Sequence, residues 1–323
     1  MERREFLKRL FLITGGLILS GCISSARRTV TGFAVSSGKP SMPKRLLGKT
    51  GVKLSVIGLG GIVVMNETPE KAEKLVNESI EAGINYFDVA PSYGDAELKL
   101  GPALKPWRSK VFLACKTGQR DKNGAWEELQ KSLQRLQTDH IDLYQLHGLI
   151  TEKDVETTLG KNGAIEAFLQ AKKEGIIQYV GFSAHSPKAA LKAMQEFDFD
   201  TILYPVNFVT HFRSHFEEKV LFEAKKRNLG ILALKAMAKQ QWSKDADRKQ
   251  HPKCWYQPIA EPELAELALY WTLAQGITAI LPPADEQVYR NALRLAPKYR
   301  KLTEPEINKL KQIAEDLNPI FSA

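Results

Sequence analysis

Residues 85–94 read NYFDVAPSYG, a short apolar run that ends in a carboxylate and continues into a turn carrying a tyrosine. Two later segments follow the same design: VFLACK at 111–116 ends in Lys116, and IDLYQLH at 141–147 ends in His147. An ionisable group at the end of an apolar strand is costly unless it has partners. Successive strands with such ends predict that Asp88, Tyr93, Lys116 and His147 converge, as side chains do at the C-terminal face of a β/α barrel.

These four side chains suit acid–base chemistry at a carbonyl group. A free tyrosine has a pKa of about 10, too high for efficient proton transfer near neutrality. The ammonium of Lys116 would lower that pKa, and Asp88 would keep Lys116 in place and charged. His147 would orient the substrate oxygen through a hydrogen bond, and a nicotinamide cofactor would have to supply the hydride. In the plainer interpretation, each residue merely closes a strand end.

The rest of the chain alternates between strand and helix patterns. A hairpin around Gly48–Gly51 comes first, then eight units with a last helix over 304–315. The predicted strands are 56–60, 86–89, 111–116, 143–147, 179–183, 202–206, 230–235 and 279–281, followed by helices at 69–82, 96–104, 125–136, 164–174, 187–196, 215–227, 262–275 and 286–295. This number of units predicts an α/β fold, a (β/α)8 TIM barrel with a short N-terminal β-hairpin, over residues 44–323. A doubly wound sheet would want Gly-x-Gly-x-x-Gly after its first strand, and residues 58–61 lack that spacing.

The segment 85–94 resembles the second-strand signature of the aldo/keto reductases. Lys116 and His147 fall where that family places its lysine and histidine, and RLLGKTGVKLS at 45–55 followed by IGLGG at 57–61 is also similar. The resemblance runs from about residue 44 to about 295. It implies an NAD(P)-dependent oxidoreductase acting on a small carbonyl or alcohol substrate, with Tyr93 as general acid and base, Lys116 tuning it, Asp88 pairing with Lys116, and His147 orienting the carbonyl.

The same resemblance places NADP(H) or NAD(H) across the strand ends. Its predicted contacts are Gly61, Ile62, Ser183, Asn207, Lys235, Pro283, Ala284, Gln287 and Asn291. The chain departs from the family at several of these loops: Ala184 and Leu203 replace common polar residues, and Asp285 and Glu286 stand where a 2′-phosphate is often bound. NADP preference is therefore in doubt, and the alternative is a non-catalytic nicotinamide-binding module that acts through a partner.

The N-terminus has the pattern of an export signal. Arg3 and Arg4 resemble a twin-arginine motif, an apolar stretch over 10–19 follows, and LSGC at 19–22 resembles a lipobox with Cys22 as the lipidated residue. A stretch of this length is too short for a typical spanning helix. We expect a signal peptide over 1–22, a flexible tether over 23–43, and a periplasmic or cell-envelope lipoprotein exported by the twin-arginine route and held to the membrane only by lipid.

Composition excludes several other functions. The formal net charge is +9, part of it in the first 28 residues, and the sequence contains no nucleic-acid-binding motif. Only Cys22, Cys115 and Cys254 occur, with no Cys-x-x-Cys spacing, so neither a metal site nor a disulfide is expected. The long segments 148–163 and 238–260 should shape the substrate pocket; the aromatic residues in the second either wall that pocket or pack the loop.

Overall fold

The structure, a computed structural model, describes residues 41–322. The predicted signal peptide (1–22) and most of the predicted tether (23–43) lie outside these residues. Packing of the domain already includes Met42, which is buried, and the carbonyl of Pro43 accepts a 2.9 Å hydrogen bond from the Val56 amide. None of the helices between residues 41 and 322 combines the length and apolar composition needed to span a bilayer.

Strands and helices alternate along the chain as the sequence predicts. The first half contains β1 (Lys44–Leu46), β2 (Lys53–Ser55), β3 (Leu59–Gly60), α1 (Pro69–Glu81), β4 (Tyr86–Asp88), α2 (Ala96–Leu104), β5 (Phe112–Thr117), α3 (Lys122–Leu136), β6 (Ile141–Leu149), α4 (Glu152–Leu159), α5 (Ala164–Lys173) and β7 (Ile177–Ala184). The second half contains α6 (Pro187–Glu196), β8 (Thr201–Pro205), α7 (Phe208–Ser214), α8 (Glu218–Lys226), β9 (Gly230–Leu234), β10 (Ala238–Gln241), β11 (Tyr256–Pro258), α9 (Pro262–Ala274), β12 (Ala279–Leu281), α10 (Glu286–Leu295) and α11 (Glu304–Glu315).

Eight parallel strands form the barrel, in the order β12-β9-β8-β7-β6-β5-β4-β3. A parallel bridge between Ile57 and Ile280 joins the two ends of this sheet, with a 2.9 Å hydrogen bond from the Gly58 amide to the Ile280 carbonyl. The predicted (β/α)8 barrel is therefore confirmed, and its strand C-termini open onto one face as that fold requires.

The hairpin of β1 and β2 closes the opposite end of the barrel. Leu47 and Leu54 pack into one apolar cluster with interior strand residues such as Tyr86 and Leu143. Gly48, with φ of 50°, lies so close to β9 that an added Cβ would stand 2.3 Å from the Gly230 nitrogen. Glycine is thus required at this contact. Because the β1–β2 hairpin covers this end of the barrel, only the face at the strand C-termini is open for the chemistry.

Three features of the loops were not predicted. Helix α4 forms within the segment 148–163 because Thr151 and Asp154 make a capping box at its start. The predicted helix 215–227 begins only at Glu218, because His215 adopts φ of 51° and ends the separate helix α7. Strands β10 and β11 pair antiparallel within the segment 238–260 and make a hairpin above the barrel. Each depends on local capping or long-range pairing rather than on apolar periodicity.

Candidate active site

A pocket opens at the face where the barrel strands end. It encloses about 1020 Å³ including its open mouth. Its lining comprises Gly60, Ile62, Asp88, Ser92, Tyr93, Lys116, His147, Ser183, His185, Leu203, Leu234, Lys235, Lys253, Cys254, Trp255, Tyr256, Leu281, Pro282 and Ala284. The four residues predicted to carry the chemistry therefore do meet in one cavity.

Asp88 and Lys116 form a buried ion pair at the base of the pocket. Both are at most 1% exposed, and the Lys116 ammonium donates to Oδ1 of Asp88 and to the Val89 carbonyl at 3.1 Å. Burial alone would lower the pKa of Lys116, but Asp88 and Tyr93 raise it above its ordinary value. Lys116 therefore carries a positive charge throughout the neutral range.

Asp88 is held by two further side chains inside the barrel. Its Oδ2 accepts hydrogen bonds from Gln145 Nε2 at 3.1 Å and from the Tyr86 hydroxyl at 3.3 Å. These contacts leave Oδ1 facing Lys116. The carboxylate is thus fixed from its own strand by Tyr86 on β4 and from two strands away by Gln145 on β6.

Tyr93 reaches the pocket from the turn that follows β4. Its amide donates to the Ala90 carbonyl at 3.0 Å, and the Lys116 Nζ lies 5.3 Å from the centre of its ring. Burial raises the pKa of Tyr93, and the charge of Lys116 opposes that rise only in part. The expected lowering of the Tyr93 pKa is therefore not observed, because desolvation outweighs the ammonium. Tyr93 is a neutral phenol at neutral pH, with a cation beside it.

His147 packs edge-on against Tyr93, with ring centres 5.8 Å apart. Burial, followed by the charge of Lys116, lowers the pKa of His147 to about 3, so the imidazole is neutral. Its Nδ1 lies 3.5 Å from Oγ of Ser92, and the Arg120 guanidinium donates to its backbone carbonyl at 3.0 Å. When the Ser92 hydroxyl donates to Nδ1, the ring proton is on Nε2 and is free to be donated.

The predicted cofactor residues are distributed unevenly. Ile62, Ser183, Lys235 and Ala284 line the pocket, whereas Gly61, Asn207, Pro283, Gln287 and Asn291 are not among the lining residues. Asn207 is buried and engaged as the cap of α7: its Oδ1 accepts from the Val209 and Thr210 amides, and its Nδ2 donates to the Lys235 and Ala238 carbonyls. Its side chain therefore holds the backbone after β9.

Several lining residues were not singled out from the sequence. These are Ser92, His185 and Lys253. The aromatic residues of the segment 238–260 do both of the things that the sequence left open. Trp255 and Tyr256 line the pocket together with Cys254. The Trp242 indole instead donates to the Cys254 carbonyl at 2.9 Å and supports the loop. Sequence periodicity carried no signal for these positions, because their placement depends on how the β10–β11 hairpin folds back.

The segment between β10 and β11 is tied to two loops on the barrel rim. Lys253 donates to the Val63 carbonyl at 2.7 Å and to Glu67 at 2.6 Å, both after β3. The His251 Nδ1 lies 2.7 Å from Asp285, which caps α10 after β12. The segment thus forms a strap across this side of the pocket mouth.

Comparisons with known proteins identify the family of this chain and agree with its fold. The chain matches the aldo/keto reductase family profile over residues 56–315. It is 40% identical over 160 residues to the uncharacterized oxidoreductase YqkF of Bacillus subtilis, a match that spans 45% of this chain and 50% of that protein. It is 25% identical over 301 residues to the aldo-keto reductase str7 of Strobilurus tenacellus, covering 80% and 86% of the two chains. An aldo-keto reductase structure from Bacillus halodurans, in its holo form, superposes with a TM-score of 0.66 at 23% identity, covering 86% and 98%.

Proposed function

The chain belongs to the aldo/keto reductase family of oxidoreductases, whose members generally bind NAD(P)H, and from that premise we propose a specific reaction. The protein reduces an aldehyde or ketone, or oxidises the corresponding alcohol, by hydride transfer, with Tyr93 as general acid and base. The observation that carries this proposal is the placement of Tyr93 beside the Lys116–Asp88 pair and against His147 in one pocket.

Proton transfer follows from the states of these groups. Tyr93 is protonated at neutral pH, so it can donate to the oxygen of a carbonyl as hydride reaches the carbon. The phenolate that results lies beside the Lys116 ammonium, which stabilises it. Asp88 keeps that ammonium charged and in place. In the reverse direction, the same phenolate accepts the proton of an alcohol.

His147 orients the carbonyl. A neutral imidazole with its proton on Nε2 donates one hydrogen bond without adding a charge that would repel Lys116. A hydrogen bond donated by the Ser92 hydroxyl to Nδ1, 3.5 Å away, would favour that tautomer. We expect the loss of Ser92 to weaken the orientation of the carbonyl by His147 while Tyr93 remains as the general acid.

The pocket fits a nicotinamide cofactor. The Ser183 hydroxyl accepts a 2.8 Å hydrogen bond from the Gly148 amide, so its own proton remains free for a carboxamide oxygen. Ile62 and Ala284 add apolar lining from the loops after β3 and β12. When bound, the cofactor supplies or accepts the hydride.

We propose that NAD(H) is preferred over NADP(H). Asp285 and Glu286 stand at the start of α10, where a 2′-phosphate would meet two carboxylates. The nearest cations are already engaged: Glu286 binds Lys71 at 3.1 Å and Arg290 at 2.9 Å. A free ribose hydroxyl carries no charge to be repelled.

Substitution of Tyr93 by phenylalanine tests the proposed reaction. The phenolic hydroxyl is the only group removed, so turnover should fall by about 10³-fold or more while NADH and NADPH still bind. Turnover would be measured with a panel of aldehydes and ketones, and binding by nicotinamide fluorescence. Retained turnover would contradict the mechanism, and cofactor binding without turnover in the wild type would favour the non-catalytic module instead.

We also propose that residues 1–22 direct export by the twin-arginine route and that Cys22 is lipidated. The proposal rests on Arg3-Arg4, the apolar stretch over 10–19 and the LSGC segment at 19–22. Fractionation of cells expressing the full chain tests it. Cys22→Ser should move the protein from the membrane to the soluble fraction, and Lys at positions 3 and 4 should keep it inside the cell. A wild-type chain that stays in the cytoplasm would contradict it.

A further inference from the structure

Lys235 is a partly buried cation that the proposed proton transfer does not use. Its Nζ lies 5.0 Å from the centre of the Trp255 ring and 4.7 Å from that of Tyr256. Between residues 41 and 322, no carboxylate lies within salt-bridge distance of this ammonium. Aromatic rings attract a cation but do not neutralise it, so Lys235 keeps an unbalanced positive charge in the pocket.

Lys235 has an unusual backbone conformation that a hydrogen bond secures. Lys235 has φ of 69°, a left-handed conformation that residues other than glycine rarely adopt. The buried amide of Asn207 donates to its carbonyl at 2.9 Å and so secures that conformation. A strained residue held by a buried partner and aimed into a cavity indicates a functional position.

The other charged groups of the pocket are already balanced or neutral. Asp88 neutralises Lys116, and Glu67 neutralises Lys253 at 2.6 Å. Burial lowers the pKa of His147 to about 3 and that of His185 to about 4, and Lys235 contributes to both shifts. Among the residues that the structure places on the pocket lining, Lys235 is thus the one cation available to a ligand.

Its neighbours place this charge on the substrate side. His147 is the residue proposed to hold the carbonyl oxygen, and His185 lies just past β7 on the pocket lining. Both feel the charge of Lys235. Strand β9 also lies four places from β5 in the eight-stranded barrel, so Lys235 faces Lys116 across the pocket.

We propose that Lys235 is the receptor for an anionic group, a carboxylate or a phosphate, on the carbonyl substrate. The enzyme accordingly prefers anionic aldehydes or ketones over neutral ones of the same shape. This inference rests on the proposed function and names its substrate class. The same anion chemistry is present in the diphosphate of the cofactor, so the experiment separates the two sources.

The kinetic test compares an acid with its ester. At saturating cofactor, kcat/KM is measured for succinic semialdehyde and for its methyl ester, and in parallel for glyceraldehyde 3-phosphate and glyceraldehyde. We expect the wild type to favour the anion of at least one pair by tenfold or more, mainly through KM. Lys235→Met should reduce that ratio to about one, and Lys235→Arg should keep most of it.

Lys239→Met is the matched control. Lys239 lies on β10 and is paired with Glu261 outside the pocket lining. Its loss should leave the preference for the anion as in the wild type. Equal preference for acid and ester in the wild type, or the same ratio in Lys235→Met, would overturn the proposal.

Cofactor titration provides the second arm. If Lys235 instead binds the diphosphate, Lys235→Met will weaken NADH and NADPH alike and lower kcat/KM for acid and ester by the same factor, which overturns the substrate assignment. If Lys235 binds the substrate, the dissociation constants of both cofactors will stay within about twofold.

A binding measurement keeps this inference distinct from the proposed reaction. Malonate should change the tryptophan fluorescence of the protein because Trp255 lies beside Lys235, and malonamide should not. Lys235→Met and Trp255→Phe should each remove the response. Malonate binding without turnover of any carbonyl would refute the reaction but not the anion receptor. Turnover without malonate binding or preference for the acid would refute the receptor alone.

Discussion

The two sides of the pocket each present a lysine, one buried and one partly buried, and the pKa values of the two are shifted in opposite directions. On β5, Lys116 is paired with Asp88, and its pKa lies above the ordinary value. After β9, Lys235 lies over two aromatic rings, and burial lowers its pKa to about 8. One charge is balanced within the protein and the other is left for a ligand to balance.

The difference separates a part of the site whose charges are balanced within the protein, around Lys116, from a part whose charge is not, around Lys235. A buried ion pair with further hydrogen bonds holds fixed geometry, which proton transfer requires. An unbalanced cation costs stability until an anion arrives, and its interaction free energy is then available for binding. We infer that the β4–β6 side performs the reaction and the β9 side selects the substrate.

Removing Lys116 should have the largest effect. Lys116→Met takes away the cation beside Tyr93, so kcat should fall by roughly 10³-fold. It also leaves Asp88 buried without a counter-charge, which should destabilise the fold by about 3–5 kcal/mol. Turnover and thermal unfolding would be measured together.

The double variant Asp88→Asn/Lys116→Met controls for the fold. It removes the uncompensated charge and should recover much of the stability while remaining inactive. If Lys235→Met lowers kcat for a neutral aldehyde as severely as Lys116→Met does, the two sides of the pocket do not differ in the way described above.

The pH dependence of the free energy of unfolding should show the same contrast between Lys116 and Lys235, with a smaller effect. The folded pKa of Lys235, about 8, lies below its ordinary value of 10.5, so between these values the unfolded chain binds more protons and wild-type stability rises with pH. Below pH 8, Lys235→Met should therefore be more stable than the wild type by at most about 3 kcal/mol. The advantage should vanish near pH 10.5.

Lys116 should behave in the opposite sense. Its folded pKa is raised, so its stabilisation is fully present below pH 10.5 and is lost only as pH rises through the folded value.

The titratable groups around Lys235 are the same in its variants and in the wild type: His147, His185, Cys254 and Tyr256. Denaturant unfolding from pH 6 to pH 10.5 would measure the difference, and parallel curves for Lys235→Met and the wild type would contradict it.

Cofactor preference should give the smallest effect. Replacing Glu286 by arginine removes a carboxylate from the start of α10 and adds a cation, so NADPH should bind about tenfold tighter relative to NADH. The ratio of the two dissociation constants would be taken from fluorescence titration. Glu286→Gln should give an intermediate ratio, and tighter binding of NADPH than NADH by the wild type would show that these carboxylates do not select the cofactor.

The sequence predicted the barrel and the chemical residues for a physical reason. Asp88, Lys116 and His147 each lie within two residues of the C-terminal end of an apolar strand, and strand ends in a parallel barrel must meet at one face. The boundaries of β12, α2, α6, α10 and α11 were also predicted as observed. For these elements the local pattern of apolar and polar residues is enough to predict where each residue lies in the fold.

The binding side of the pocket could not be predicted as well. Asn207 lies near the C-terminal end of a strand, as His147 does, yet its amide is engaged by α7 and by the backbone after β9, and only the folded chain determines these contacts. Lys235 was predicted as a cofactor contact, but its missing carboxylate and its aromatic neighbours depend on how β10 and β11 pair. The raised pKa of Tyr93 follows from burial, which residue order does not specify.

The bridge between Ile57 and Ile280 governs when the molecule can finish folding. It pairs the first barrel strand with the last, so almost the whole described chain must be synthesised before the sheet can close. Contacts of such sequence separation make folding slow, and until β12 docks, the edges of β3 and β9 stay open to pairing with other chains. A nascent or truncated chain that stops before Ala279 should therefore aggregate rather than accumulate as a partial barrel.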